Sequence, residues 1–96
     1  MINTKKFFKE KAKNLNPSVW IGKRGLSESQ IAEIKKQLKI RRLIKVKLLK
    51  PITDSFDRHE FAKELAQKSS SELIDVVGSV VVLKYDKSEK FTDKNA

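Results

Sequence analysis

The chain has 96 residues, 39% of them hydrophobic, which allows one domain with a modest core and no deep substrate cavity. Lysine and arginine number 22 against 12 acidic residues, for a net charge of +10, and the excess is uneven: residues 1–50 hold 15 basic and 3 acidic side chains, residues 51–96 hold 7 and 9. With no cysteine and one histidine, His59, the composition excludes disulfides, zinc ribbons and thiolate nucleophiles, and no cofactor or metal is expected.

Thr4 is placed to cap a first helix over roughly Lys5 to Leu15, with Phe8, Ala12 and Leu15 on one face and Lys6, Lys9 and Lys13 largely opposite. Asn14 and Asn16 weaken that helix and Pro17 ends it. Ser18 to Ile21 then reads as a short strand. It runs into Gly22-Lys23-Arg24-Gly25, where two glycines bracket two cations ahead of a helix start. Ser27 and Gln30 have capping-box spacing, and Ile31, Ile34 and Leu38 form the apolar stripe of the helix that follows. Lys35, Lys36, Lys39, Arg41 and Arg42 crowd its end, where the helix dipole is negative.

From Leu43 to Lys50 the residues alternate, Ile44, Val46 and Leu48 against Lys45 and Lys47, predicting a strand with one buried and one wet basic face. Pro51 to Asp54 breaks the pattern, and either Asp54 or Asp57 can cap a third helix to about Lys68 with Phe61, Ala62, Leu65 and Ala66 inward. Glu72–Val77 and Val80–Tyr85 read as a hairpin about Gly78-Ser79. The order α-β-α-β-α-β-β predicts a two-layer α/β fold, with helices on one face of a four-stranded mixed sheet and the other face partly open. Residues 1–86 form a single domain in this reading, and 87–96 a polar, frayed tail.

The charge division points to a polyanion facing the first half of the chain. A strand-to-helix turn leaves helix amides unpaired where they favour phosphate, and Lys23 and Arg24 add two cations, so Gly22 to Gly25 reads as a clamp for a nucleic-acid backbone, with a plain glycine turn as the other reading. Lys45 and Lys47 fit either a polyanion-contacting or an ordinary solvated strand face. Arg41 and Arg42 can satisfy the helix end, yet with their neighbouring lysines they exceed what one dipole requires. Lys5, Lys6, Lys9 and Lys13 read first as a solvated face and second as a phosphate-steering one. Alternation puts Trp20 opposite Val19 and Ile21, but tryptophan is usually buried, so packing beneath the first helix is favoured over base stacking. His59 lacks a nucleophile or ligand set around it and reads as an exposed helix residue.

The run Asn16-Pro17-Ser18-Val19-Trp20-Ile21-Gly22-Lys23-Arg24-Gly25-Leu26, with Leu43-Ile44-Lys45-Val46-Lys47 and the later Val76-Val77-Gly78 and Val82-Leu83, resembles the CRM (chloroplast RNA splicing and ribosome maturation) domain family. The resemblance covers roughly residues 4–86 and is greatest to the stand-alone, YhbY-like members. It implies a fold similar to the C-terminal domain of translation initiation factor three, and an RNA-contacting loop at Gly22, Lys23, Arg24 and Gly25. It also implies an association with large-subunit ribosomal precursors. One departure is the end of the last strand, Leu83-Lys84-Tyr85-Asp86, where such chains often have Leu-Tyr-Arg-Pro, so Tyr85 inherits no role.

The expectation is therefore a non-catalytic, cytoplasmic, monomeric RNA-binding protein. Its partner is structured ribosomal RNA or a pre-ribosomal particle, and it makes no membrane contact. The RNA-binding residues are expected to be Gly22, Lys23, Arg24, Gly25, Lys45, Lys47, Arg41 and Arg42. The alternatives are a small basic DNA-packaging protein and a nuclease or RNA-modifying enzyme, the last predicting divalent-metal-dependent cleavage.

Overall fold

The computed structural model describes residues 4–86, in the order α1 (Thr4–Ala12), β1 (Pro17–Ile21), α2 (Glu28–Arg41), β2 (Leu43–Leu48), α3 (Lys50–Ser55), α4 (Arg58–Lys68), β3 (Ser71–Val77) and β4 (Val80–Tyr85). The tail expected over residues 87–96 lies outside the described residues. The four strands form the expected mixed sheet, ordered β1-β2-β4-β3. β1 and β2 are parallel and joined through α2, while β4 lies antiparallel between β2 and β3.

Register decides which side chains are buried. Val19 lies opposite Val46 and Ile21 opposite Leu48, while Ile44 and Val46 lie opposite Leu83 and Val81. All of these point to one face, where they pack with Ile34 and Leu38 of α2, Ile52 of α3, and Phe61, Ala62 and Leu65 of α4. The two-residue period of a strand then sends Trp20, Lys45, Lys47, Val80 and Val82 to the other face.

That second face is not left to solvent throughout. Phe8 and Ala12 of α1 pack on Leu43, Val82 and Ile74 in a separate small cluster. The helices therefore sit on both sides of the sheet, α1 opposite the other three, which differs from the two-layer expectation. The cause is local: β2, β4 and β3 present apolar side chains at Leu43, Val82 and Ile74 on that face, and a narrow Phe8/Ala12 stripe suffices to cover them. Leu15 does not join, because α1 stops at Ala12 and the chain turns through Lys13 N–H to Glu10 C=O and Leu15 N–H to Ala12 C=O bonds. Leu15 remains 36% exposed.

One further boundary departs from expectation, and one open alternative is decided. Pro51 opens α3 where a break was expected, since its fixed φ and missing N–H are tolerated in a first turn. Of the two candidate caps it is Asp57 that starts α4, its Oδ1 accepting the Glu60 N–H at 3.0 Å. That bond holds the Asp57 carboxyl below the usual aspartate range. A lowered folded-state pKa contributes stability that is complete above the unfolded value and lost as pH falls through the folded one. An NMR pH titration should accordingly show the Asp57 side-chain carboxyl carbon changing at pH values below the ordinary aspartate range.

Truncating Ile34, fully buried under the sheet, is expected to cost about 2–5 kcal/mol in chemical denaturation of Ile34→Ala. Phe8→Ala should behave differently. Hydrogen exchange should show α1 amides losing protection while β2 and β4 keep theirs, because α1 belongs to the smaller cluster.

Candidate nucleic-acid interface

The Gly22–Gly25 segment leaves the C-terminal end of β1 and delivers the chain to α2. Gly25 N–H donates to the Gly22 carbonyl at 2.8 Å, closing a four-residue turn with Lys23 and Arg24 at its two central positions. Both cations are exposed, and neither pairs with a carboxylate among the described residues. The two glycines serve different needs. Gly25 has φ of +66°, in the left-handed region, with open space where a Cβ would stand. Gly22 is not in that region; a Cβ there would lie 3.2 Å from Leu49 Cδ1.

The capping box forms only in part. Ser27 Oγ accepts the Gln30 N–H at 3.2 Å, but the Gln30 side-chain amide donates to the Trp20 carbonyl at 3.2 Å and does not reach back to Ser27. Gln30 thus braces the helix start against the end of β1, spanning the loop. This arrangement leaves Glu28 and Ser29 N–H without intrahelical acceptors, as in any first turn. The Glu28 carboxylate shares that turn and already complements the dipole. Phosphate attraction here therefore falls chiefly to Lys23 and Arg24.

The other predicted cations lie in two separate places. Lys47 sits opposite Trp20 across the β1–β2 pair, beside the loop, and its Nζ donates to Ser79 Oγ at 2.6 Å. Lys45 is one pleat further along the same face, opposite Val82. Arg41 and Arg42 end α2, about 21 Å from its start at 1.5 Å per residue. There Arg41 Nε donates to Gln37 Oε1 at 2.8 Å, and Gln37 in turn donates to Glu33. Arg42 takes φ of 69° as the C-cap and lays its guanidinium over the Tyr85 ring at 4.6 Å. Lys47 lies near the loop end of β2, Lys45 midway along the strand on the same face, and the arginine pair at the opposite end of α2 from the loop.

Two features of this region were not expected. Trp20 does not pack beneath α1: it is 52% exposed on the open sheet face, because α1 covers Leu43, Val82 and Ile74 and does not extend over β1. Between α1 and the sheet runs a groove of about 430 Å³, lined in part by Lys6, Lys9, Lys13, Lys45 and Val80, with Glu10 and Asp75 as its carboxylates. The α1 lysines read as a solvated face thus border a shared cleft with β2. Only the placement of α1 on this face reveals it. Among the described residues no His, Cys, Asp and Glu group could hold a metal ion.

Comparison with known proteins gives a consistent set of relatives. The profile of the CRS1/YhbY (CRM) domain family matches residues 2–84. The chain is 44% identical over 79 residues to the probable RNA-binding protein MJ0652 of Methanocaldococcus jannaschii, a match that takes in 82% of this chain and 58% of that longer protein. It is 33% identical over 85 residues to the probable RNA-binding protein YqeI of Bacillus subtilis, covering 88% of this chain and 86% of the relative. The solution structure of the protein SAV1595 of Staphylococcus aureus matches with a TM-score of 0.74 and 34% identity, over 91% of each chain.

The loop glycines should separate by mutation. Gly25→Ala forces a left-handed alanine and is expected to cost about 1–2 kcal/mol in denaturant unfolding. Gly22→Ala should cost less, since it needs only a small shift of the flexible end of Leu49, which is 38% exposed.

Proposed function

Because this chain belongs to the CRS1/YhbY (CRM) domain family, we propose that it is a non-catalytic RNA-binding protein whose Gly22–Gly25 loop grips the RNA backbone. The observation that carries this reading is the pair of exposed cations, Lys23 and Arg24, held without carboxylate partners on a hydrogen-bonded turn. Leaving like charges adjacent and uncompensated costs the free protein some electrostatic repulsion, which a polyanion relieves. Lys47 and Lys45 continue the positive surface from the loop onto the sheet. Arg41 and Arg42 lie too far off to hold the same phosphates, and serve as a separate, weaker contact on an extended RNA.

Affinity in this scheme comes chiefly from release of counterions, and recognition from backbone shape. The RNA-binding names of the relatives support RNA as the polyanion. Within that class we infer structured ribosomal RNA, bound during assembly of the large subunit, as the biological target, with a cytoplasmic monomer as the active form.

In the Lys23→Ala/Arg24→Ala double variant, binding to RNA should weaken and the slope of log K against log salt should fall by roughly 1.4 for single strands, at about 0.7 per charge. An unchanged affinity and slope would remove the clamp. Competition of labelled structured RNA with unlabelled duplex DNA tests the partner: DNA that competes equally or better favours the packaging role. Divalent-metal-dependent cleavage of the labelled RNA would overturn the non-catalytic assignment.

A further inference from the structure

Across the open half of the sheet, register aligns one residue from each strand into a row: Trp20 of β1, Lys47 of β2, Val80 of β4 and Val77 of β3. At the spacing of neighbouring strands this row is about 14 Å wide. Its two ends are the most open, with Trp20 at 52% and Val77 at 59% exposure. No ring and no cation stacks on the indole among the described residues. The Trp20 backbone, by contrast, is fixed by strand pairing and by the bond from Gln30. An amphipathic ring on a rigid strand is thus presented to solvent, two residues from Gly22. That offset is about 7 Å at 3.3 Å per residue, the scale of a single nucleotide step away from the loop.

Building on the RNA-binding reading above, we propose that this uncovered face is a base-stacking platform. Trp20 takes an unpaired nucleobase of the RNA held at the Gly22–Gly25 loop, Lys47 meets the adjoining phosphate, and Val80 and Val77 extend the apolar floor. Four-stranded sheets that display aromatic side chains use them to stack unpaired bases, and any base offers a π face to an indole. Charge selects nucleic acid over a protein partner here. Lys6, Lys9, Lys13, Lys45 and Lys47 lie on or beside the face, against Glu10 and Asp75; of these Glu10 is paired with Lys13, and Asp75 accepts the Val76 N–H. Lys47 lies between Trp20 and Val80 in the row, its ammonium donating to the Ser79 hydroxyl, so a cation is within reach of a phosphate that joins bases along the row. Duplex RNA keeps its bases stacked internally, so the platform distinguishes single-stranded or bulged segments from helices.

Trp20 is the chain's single tryptophan, so its fluorescence reports on this face alone. The full chain is titrated with an unstructured 12-nucleotide RNA and with a perfect RNA duplex, following both indole emission and the anisotropy of an end label. The single strand should quench the indole, and the duplex should bind with little quenching. Trp20→Leu should weaken single-strand binding by about 5- to 150-fold while leaving duplex affinity and the salt slope near wild type. Trp20→Phe should retain most of the affinity. The Lys23→Ala/Arg24→Ala variant should show the complementary pattern: a lower salt slope with full quenching at saturation.

Single-strand binding with an unquenched indole and wild-type affinity in Trp20→Leu would overturn the platform and leave the loop clamp standing. Failure of both RNAs to bind would overturn the RNA reading itself. Sedimentation supplies a further arm: self-association that Trp20→Leu abolishes, with RNA binding unaffected, would assign the face to a second copy of the chain and refute stacking.

Discussion

The structure depends on one register, that of the parallel β1–β2 pair. With Val19 opposite Val46 and Ile21 opposite Leu48, the apolar side chains of both strands meet α2 and close the main core. A slip of one residue would send Trp20 and Lys47 into that core and expel four aliphatic side chains, so the alternation is strongly specified. The same constraint fixes the functional geography. Because the core claims the odd-numbered positions of β1, the indole must stand on the far face; because it claims Val46 and Leu48, the lysines between must stand beside it. Loop, indole and lysines are gathered by the demands of packing on the opposite side of the sheet.

The residues that close the loop show how little of the clamp can come from the helix alone. Ser27 and Gln30 both spend their side chains on structure, one on the first turn of α2 and one on the end of β1. Glu28 places a carboxylate at the positive end of the dipole. What remains for an anion is the pair of side chains on the turn, presented by a backbone that only Gly25 lets turn so tightly. In the proposed clamp, the hydrogen-bonded base would hold the turn in place while the long side chains at its tip adapt to a phosphate chain whose conformation varies.

Much of this was legible in the sequence because the signals were local. Four strands, the Ser27 and Asp57 caps, the helix stripes and the glycine-bounded loop each follow from residues near one another. What failed to show was anything that depended on which face an element would choose. The Phe8/Ala12 stripe is equally compatible with either side of the sheet; its partners Leu43, Val82 and Ile74 come from three different strands, and only their assembly creates a second apolar patch. Trp20 was misjudged for the same reason. A large indole is usually buried, but burial here required a helix to reach β1, and α1, ending at Ala12, does not. Pro51 to Asp54 reads as a break after the β2 strand because proline interrupts the alternation, although its backbone also suits the first turn of a short helix.

The division of charge acquires a meaning once the faces are known. An excess of cations in the first half of a chain need not form a surface, since elements from that half could scatter around the fold. Here lysines of α1, the turn after it and β2, Lys6, Lys9, Lys13 and Lys45, converge on the groove side of the sheet, while the acidic residues Glu60 and Glu64 of α4 pair with lysines of the same helix on the other side. Those i,i+3 and i,i+4 pairs contribute only a few tenths of a kcal/mol each, yet they neutralise their surface locally. Among the described residues the loop and β2 have no such pairing. The asymmetry that sequence counting registers as a number is, in the folded chain, a contrast between an α4 surface whose acids pair within their own helix and a loop and strand, Lys23, Arg24, Lys45 and Lys47, that no carboxylate pairs with among the described residues.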